Sequence, residues 1–261
     1  MIRFRLGILV LMLLLSICIF GPHPTFAQPP TPTPPVFNLD HFKAYNIHVK
    51  EKKLPEVSVQ DQFMPYRPEK INPDRIRFFA NPVSKDNAGK KDEFAHLTWY
   101  RIRKDKPEKE ITYLNQFTEF KPNKITVRKL SALLVPTEKI EKNSQFPKNL
   151  DHYLCYQVVT GFDRSKQITL DDQFQEKVTT SAGGPEYFCN PSSKNNDPIK
   201  NNEDHLAVYV LGRGKEVDKE ITIKNQFKKQ SLKVLDQVFL LVPTKKLKVS
   251  PPPGKHDDQM Q

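Results

Sequence analysis

The sequence predicts an all-β protein built by duplication, and three observations carry that expectation. A skeleton of His, then Tyr four residues on, a Gln-Phe pair, and Pro three residues before Lys returns four times along the chain. Within each copy the apolar residues come in short runs with a period of two, the mark of strands. Sustained helical spacing is found nowhere after the N-terminal segment.

That segment is not read as fold. Arg3 and Arg5 precede an unbroken apolar run from Leu6 to Phe20, and Thr25-Phe26-Ala27 stands before Gln28. Charge, apolar core and small residue at the cut follow the order of a secretory signal, so residues 1–27 read as a signal peptide and the protein as secreted or periplasmic. The apolar run is shorter than the ~20 residues that span a bilayer. The rival reading is an uncleaved N-terminal anchor. No later stretch is apolar enough to cross a membrane, so no transmembrane segment is expected after cleavage. Residues 28–35 form a Pro-rich linker; proline lacks the amide donor and fixes φ, which leaves an extended, semi-rigid spacer.

The first copy supplies His41, Tyr45, Gln62, Phe63, Pro82 and Lys85, and the second His96, Tyr100, Gln116, Phe117, Pro136 and Lys139. The third has His152, Tyr156, Gln173, Phe174, Pro191 and Lys194, and the fourth His205, Tyr209, Gln226, Phe227, Pro243 and Lys246. Successive histidines are 55, 56 and 53 residues apart. Self-similarity at such a period marks one supersecondary unit packed against its neighbours.

A second duplication overlies the first. Copies one and three open with Asn-Leu-Asp-His and carry Asp61 or Asp172 before Gln-Phe; copies two and four carry Asn115 or Asn225 there and end in Leu-Leu-Val-Pro-Thr. The pattern is A-B-A-B, and one pair of roughly a hundred residues has the size of a domain. This predicts two tandem domains, 36–142 and 147–250, followed by a polar tail at 251–261. Each would be a β-sandwich or squashed barrel, a pseudo-twofold pair of repeats with about four strands each. The alternative is a four-bladed propeller with one copy per blade.

Strands are expected at Tyr153–Val159, Ile221–Ile223 and Val238–Val242. His41 and Tyr45 differ by an even number and so share a strand face, as do the other three pairs. These histidines are read as structural hydrogen-bond donors and the tyrosines as core packing. Their functional rival is a transition-metal site on a propeller axis. Asp61, Asn115, Asp172 and Asn225 are read as side chains that bond the backbone just after them to set a turn. Phe63, Phe117, Phe174 and Phe227 are expected in the core. No catalytic residue, metal site or cofactor site is assigned.

After removal of the leader only Cys155 and Cys189 remain, and the first copy has Ala44 and Ala80 at the same two places. Two residues that change together suggest a disulfide, which an oxidising compartment permits and which is worth ~2 to 4 kcal/mol if unstrained. The alternatives are two buried free thiols or a zinc site, which would lack its third and fourth ligands.

Signatures of hydrolases, zinc proteases and phosphate loops are absent, and the chain has only 9 Gly. Repetition also argues against an enzyme, because catalytic sites break symmetry; a hydrolase is the weakest of the readings kept. Without Arg3 and Arg5 the chain has 39 basic against 30 acidic residues, a net charge of +9. Much of this is a solvated surface, as in Arg101-Ile102-Arg103-Lys104-Asp105-Lys106 and Lys228-Lys229. The excess still favours anionic partners. Nucleic acid is disfavoured by export and by the lack of a reading module.

The run Asp151-His152-Tyr153-Leu154-Cys155-Tyr156, with Asp172-Gln173-Phe174, Cys189-Asn190-Pro191 and Lys194, then His205-Leu206, Asn225-Gln226-Phe227 and Leu241-Val242-Pro243, resembles a β-rich repeat domain of unknown function in secreted bacterial and archaeal proteins. The likeness extends over residues 38–248 as two copies. The family pattern carries Cys before Tyr and before Pro; here only Cys155 and Cys189 match, while Ala44, Ala80, Trp99, Leu134, Val208 and Leu241 fill the comparable places. The resemblance implies fold and location more than activity. The expected function is a secreted, monomeric, non-enzymatic structural or binding protein that engages an anionic cell-envelope polymer or an extracellular protein. The runner-up is an accessory or inhibitor-like protein with one specific protein partner.

Overall fold

Alternating burial follows directly from the two-residue period of the sequence: Ile221 and Ile223 are buried while Thr222 between them is partly exposed. The computed structural model describes residues 34–251 except 51–53, 65, 107 and 160–164. The signal peptide, most of the Pro-rich linker and nearly all of the tail lie outside the described residues. The first copy contributes β1 (His41–His48), β2 (Val57–Gln60), β3 (Glu69–Ile71) and β4 (Ile76–Lys85). The second contributes β5 (His96–Lys104), β6 (Lys109–Leu114) and β7 (Asn123–Ile140), with a short 3-10 turn at Gln116–Thr118. The third gives β8 (His152–Val158), β9 (Lys166–Asp171) and β10 (Val178–Lys194), and the fourth β11 (Asp204–Leu211), β12 (Lys219–Lys224) and β13 (Lys229–Ser250). The all-β class is as the sequence indicates.

The arrangement of the copies differs from the expected beads. In each copy the first strand pairs with the last, β1 with β4, β5 with β7, β8 with β10 and β11 with β13. The last strand of each copy then pairs with the first strand of the next: β4 with β5, β7 with β8, β10 with β11, and finally β13 with β1. These eight antiparallel pairings close on themselves. From Pro35 onward the chain is one compact unit, so the boundary drawn between 36–142 and 147–250 does not divide it. Neither are the copies separate propeller blades, because one hydrogen-bonded ring runs through all of them.

Opposite copies are also laced together. The middle strand of each copy pairs with the end of the last strand two copies away: β2 with β10, β6 with β13, β9 with β4 and β12 with β7. The register repeats, with Gln60 opposite Ser193, Leu114 opposite Lys245, Asp171 opposite Ser84 and Lys224 opposite Glu138.

One apolar cluster collects the same positions from every copy. It holds the residue after each His (Phe42, Leu97, Tyr153, Leu206) and the residue before each Tyr (Ala44, Trp99, Cys155, Val208). To these it adds the residue two before each Pro (Ala80, Leu134, Cys189, Leu241). The last two sets face each other as direct cross-strand partners, Ala44 with Ala80, Trp99 with Leu134, Cys155 with Cys189 and Val208 with Leu241. The Cys155–Cys189 disulfide therefore occupies one of four equivalent places in this central cluster, and both sulfurs' residues are fully buried. It does not staple a second domain, as the two-domain reading would have it; it lies in the core that all four copies share.

Candidate functional site

On the other face of the ring strands, the anchors build four equivalent clamps around the Gln-Phe elements. Each clamp starts with a turn: the Asp or Asn side-chain oxygen accepts from the backbone N–H of Phe two residues later, at 2.8 Å for Asp61, 2.9 Å for Asn115, 3.1 Å for Asp172 and 3.0 Å for Asn225. This is the turn-setting role read from the sequence.

The rest of each clamp comes from other copies. Tyr45 donates to Asp172 at 2.7 Å and Tyr156 donates to Asp61 at 3.0 Å, so copies one and three exchange tyrosines. Copies two and four do likewise, with Asn225 donating to the Tyr100 hydroxyl at 2.8 Å and Asn115 to the Tyr209 hydroxyl at 3.0 Å. The phenylalanine packs on the same tyrosine: Phe63 on Tyr156, Phe117 on Tyr209, Phe174 on Tyr45 and Phe227 on Tyr100, with ring centroids 4.3 to 5.3 Å apart. The A-B-A-B alternation is thereby explained. Asp accepts from its tyrosine, whereas Asn donates its amide to the tyrosine hydroxyl, with Tyr209 also donating back to Asn115 at 3.4 Å, and each type meets its own kind across the ring.

A cation from the preceding copy covers each phenylalanine. Lys85 lies 5.6 Å from the Phe117 ring, Lys139 5.6 Å from Phe174, Lys194 4.9 Å from Phe227 and Lys246 5.1 Å from Phe63. Lys194 and Lys246 also donate to Gln226 and Gln62 of the same clamps. Phe63, Phe117, Phe174 and Phe227 are consequently half-buried, packed at the margin of the core instead of inside it. They pack against the core as expected without being fully enclosed, because a lysine ammonium closes one side of each ring.

The four histidines stay apart, each in its own copy, and the described residues contain no group of three or more His, Cys, Asp or Glu able to hold a metal. The axial metal alternative is thus not supported by where the structure puts His41, His96, His152 and His205. His41 bonds Gln116 and His152 contacts Gln226, whereas His96 and His205 stack on Phe79 and Phe188 at 5.5 Å. Burial, reinforced by the anchor lysine of the same copy, lowers His41 to about 4, His96 and His152 to about 3, and His205 well below the usual imidazole value. All four are neutral at physiological pH. Burial also lowers Lys246 to about 8, against the pull of Asp61. It raises the Asp61 carboxyl, which Asn190, the Phe63 amide, Tyr156 and Lys246 partly restrain.

Beside two of these clamps the surface opens. A cleft of about 450 Å³ adjoins Phe63 and Tyr156 and, among the described residues, carries Arg67, Lys106, Lys109 and Arg128 against the carboxylate of Glu69. Glu69 is held low: burial would raise it, but ion pairs with Lys104 and Lys106 outweigh that. A second cleft of about 740 Å³ adjoins Phe227 and carries Lys50, Lys228, Lys229 and Lys233 against Glu220. The two are repeats of one place. The residue six before each Asp or Asn approaches the Phe of the preceding copy, as Lys109 at Phe63, Lys219 at Phe174, Lys166 donating to the Phe117 carbonyl, and Pro55 in the Phe227 cleft. Such concavities suit an anionic ligand by charge and by size. Tyr66, Arg67 and Arg128 were not singled out from the sequence; the recurring Lys-Glu-Ile-Thr at 109–112 and 219–222 is the signal that could have led to Lys109.

These features define an all-β repeat protein whose copies are interlocked around a ring. The chain belongs to the family described as a repeat of unknown function (DUF7450), which matches residues 96–243, from the first anchor of copy two to the proline of copy four. No curated protein and no solved structure matches the chain. Among the described residues no helix is long and apolar enough to cross a membrane.

Proposed function

We propose that this protein is a secreted or periplasmic, non-enzymatic binding module that holds an anionic partner of the cell envelope or its surroundings. The observation that carries the reading is the pair of equivalent clefts, where among the described residues four cations face one carboxylate in each. Export is inferred from the leader grammar of residues 1–27 and is consistent with a disulfide, which persists in oxidising compartments. The absence of catalysis is inferred from the clamps, where the Tyr and Lys anchors of all four copies are engaged in equivalent packing on the phenylalanines.

The test is retention of residues 28–261 on isolated envelopes at low and high salt. Retention that falls steeply with salt is expected, since exposed charge contacts are screened within ~8 to 10 Å at physiological ionic strength. Salt-resistant, stoichiometric capture of one protein would favour the accessory or inhibitor-like reading, and turnover of an envelope polymer would overturn the non-enzymatic one.

A further inference from the structure

The two clefts share a charge but differ in what surrounds it. The Phe227 cleft is lined by lysines, whose ammonium groups are compact point charges. The Phe63 cleft has two arginines, and Arg67 and Arg128 are both exposed. It also has Tyr66, which is 98% exposed and lines the opening. A tyrosine so exposed at the rim of a cationic cleft is a flat, amphipathic platform left without a partner among the described residues. The Phe63 ring cannot serve as that platform, because Tyr156, Lys109 and Lys246 already occupy its surroundings.

Resting on the anionic-partner reading, we propose that the Phe63 cleft is a subsite for a carboxylated sugar, a uronate residue of an acidic polysaccharide. A pyranose has an apolar face that packs on an aromatic ring, and its carboxylate matches the planar fork of a guanidinium, which binds it through two parallel hydrogen bonds. Lys109 adds a further positive charge over the inner wall. A phosphate polymer would use the cations and leave the Tyr66 ring idle. A single-stranded nucleic acid needs a succession of stacking rings along a groove, and this cleft offers one exposed ring.

The experiment is calorimetric titration of residues 28–261 with a defined oligogalacturonate at near-physiological salt. A neutral galacto-oligosaccharide of the same length, inorganic polyphosphate and a single-stranded oligonucleotide of matched charge serve as comparisons. The uronate is expected to bind at least tenfold more tightly than the other three. Tyr66→Ala and Arg128→Gln should each weaken it at least tenfold with no change in melting temperature, since both side chains are exposed. Comparable binding of all polyanions, or uronate binding indifferent to both substitutions, would overturn the sugar subsite while leaving a charge-driven module standing. Preference for the oligonucleotide or polyphosphate would overturn it too. If no polyanion binds, this inference and the functional reading beneath it both fail.

Discussion

The Tyr45 hydroxyl donates to the Asp172 carboxylate at 2.7 Å across 127 residues of sequence, and the pseudosymmetric bond from Tyr156 to Asp61 spans 95. Each joins the first copy to the third. Tyr45→Phe should therefore cost ~1.5 to 3 kcal/mol, the range for hydrogen bonds to charged groups, although Asp172 keeps the backbone amides of Phe174 and Gln175. Chemical denaturation should show one cooperative transition shifted as a whole. A mutant in which one half melts before the other would contradict the interlocked ring.

For the same reason neither half should fold alone. In a fragment of residues 36–142, β1 loses β13, β4 loses β9, and β7 loses both β8 and β12. Dispersed amide resonances from that fragment, or from 147–250, would refute this. Mixing the two fragments is expected to restore the sheet.

The disulfide can be tested against its own neighbours. Replacing Cys155 and Cys189 together by alanine reproduces the Ala44–Ala80 pair of the first copy and should lower stability by ~2 to 4 kcal/mol. Because the bond lies in the shared central cluster, the loss should lower the single melting temperature of the whole protein. Two separated transitions in the variant would count against that.

Acid should loosen the fold. An imidazole whose folded pKa is depressed takes up protons more readily when unfolded, so its stabilising contribution is complete above the ordinary value of 6.5 and is lost as pH falls toward the folded values of about 3 to 4. Asp40 and Asp61 act oppositely, since burial raises their carboxyls above 3.8 and their contribution declines as pH rises through that region. With four histidines against two carboxylates, denaturation midpoints should fall between pH 6.5 and 4.5 with net proton uptake on unfolding. Proton release there would mean that the carboxylates dominate.

Asn81 and Asn190 occupy the same position before proline and should respond differently. Asn190 donates to Asp61 and accepts from Lys246, each at 3.0 Å, whereas the Asn81 amide is buried with neither of its polar atoms bonded. Copies two and four carry Val135 and Val242 there. Asn190→Val should cost ~1 to 3 kcal/mol by stranding its partners, while Asn81→Val should be neutral or stabilising. Equal losses in thermal melts would show that Asn81 has a partner after all.

How far the sequence could be read follows from where each interaction lives. The strands, the Asx turns and the cysteine pair were legible because each depends on neighbours close in sequence or on two positions that change together. The partner of Tyr45 was not, since one sequence does not say whether Asp61 or Asp172 receives its proton. The alternation of Asp and Asn held that information, but it resembles equally a pair of domains in series and a ring whose opposite members match. That Phe63 and its equivalents lie at the margin of the core was not legible, because the lysines over their rings come from other copies. Tyr66 and Arg67 have counterparts in Phe120 and Lys121, an aromatic and a basic residue at the same distance after Gln-Phe in the second copy, so that repetition was a signal the four-anchor skeleton passed over.

The pairing of β1 with β13 also bears on how the chain comes into being. Whether it emerges from a ribosome or threads through a membrane, β1 arrives first and β13 last, and the clamp around Phe63 waits for Lys246. Completion of the ring is therefore deferred until β13 has been delivered. Long-range pairing of this kind makes folding slow, and it leaves one edge of β1 unpaired until β13 arrives.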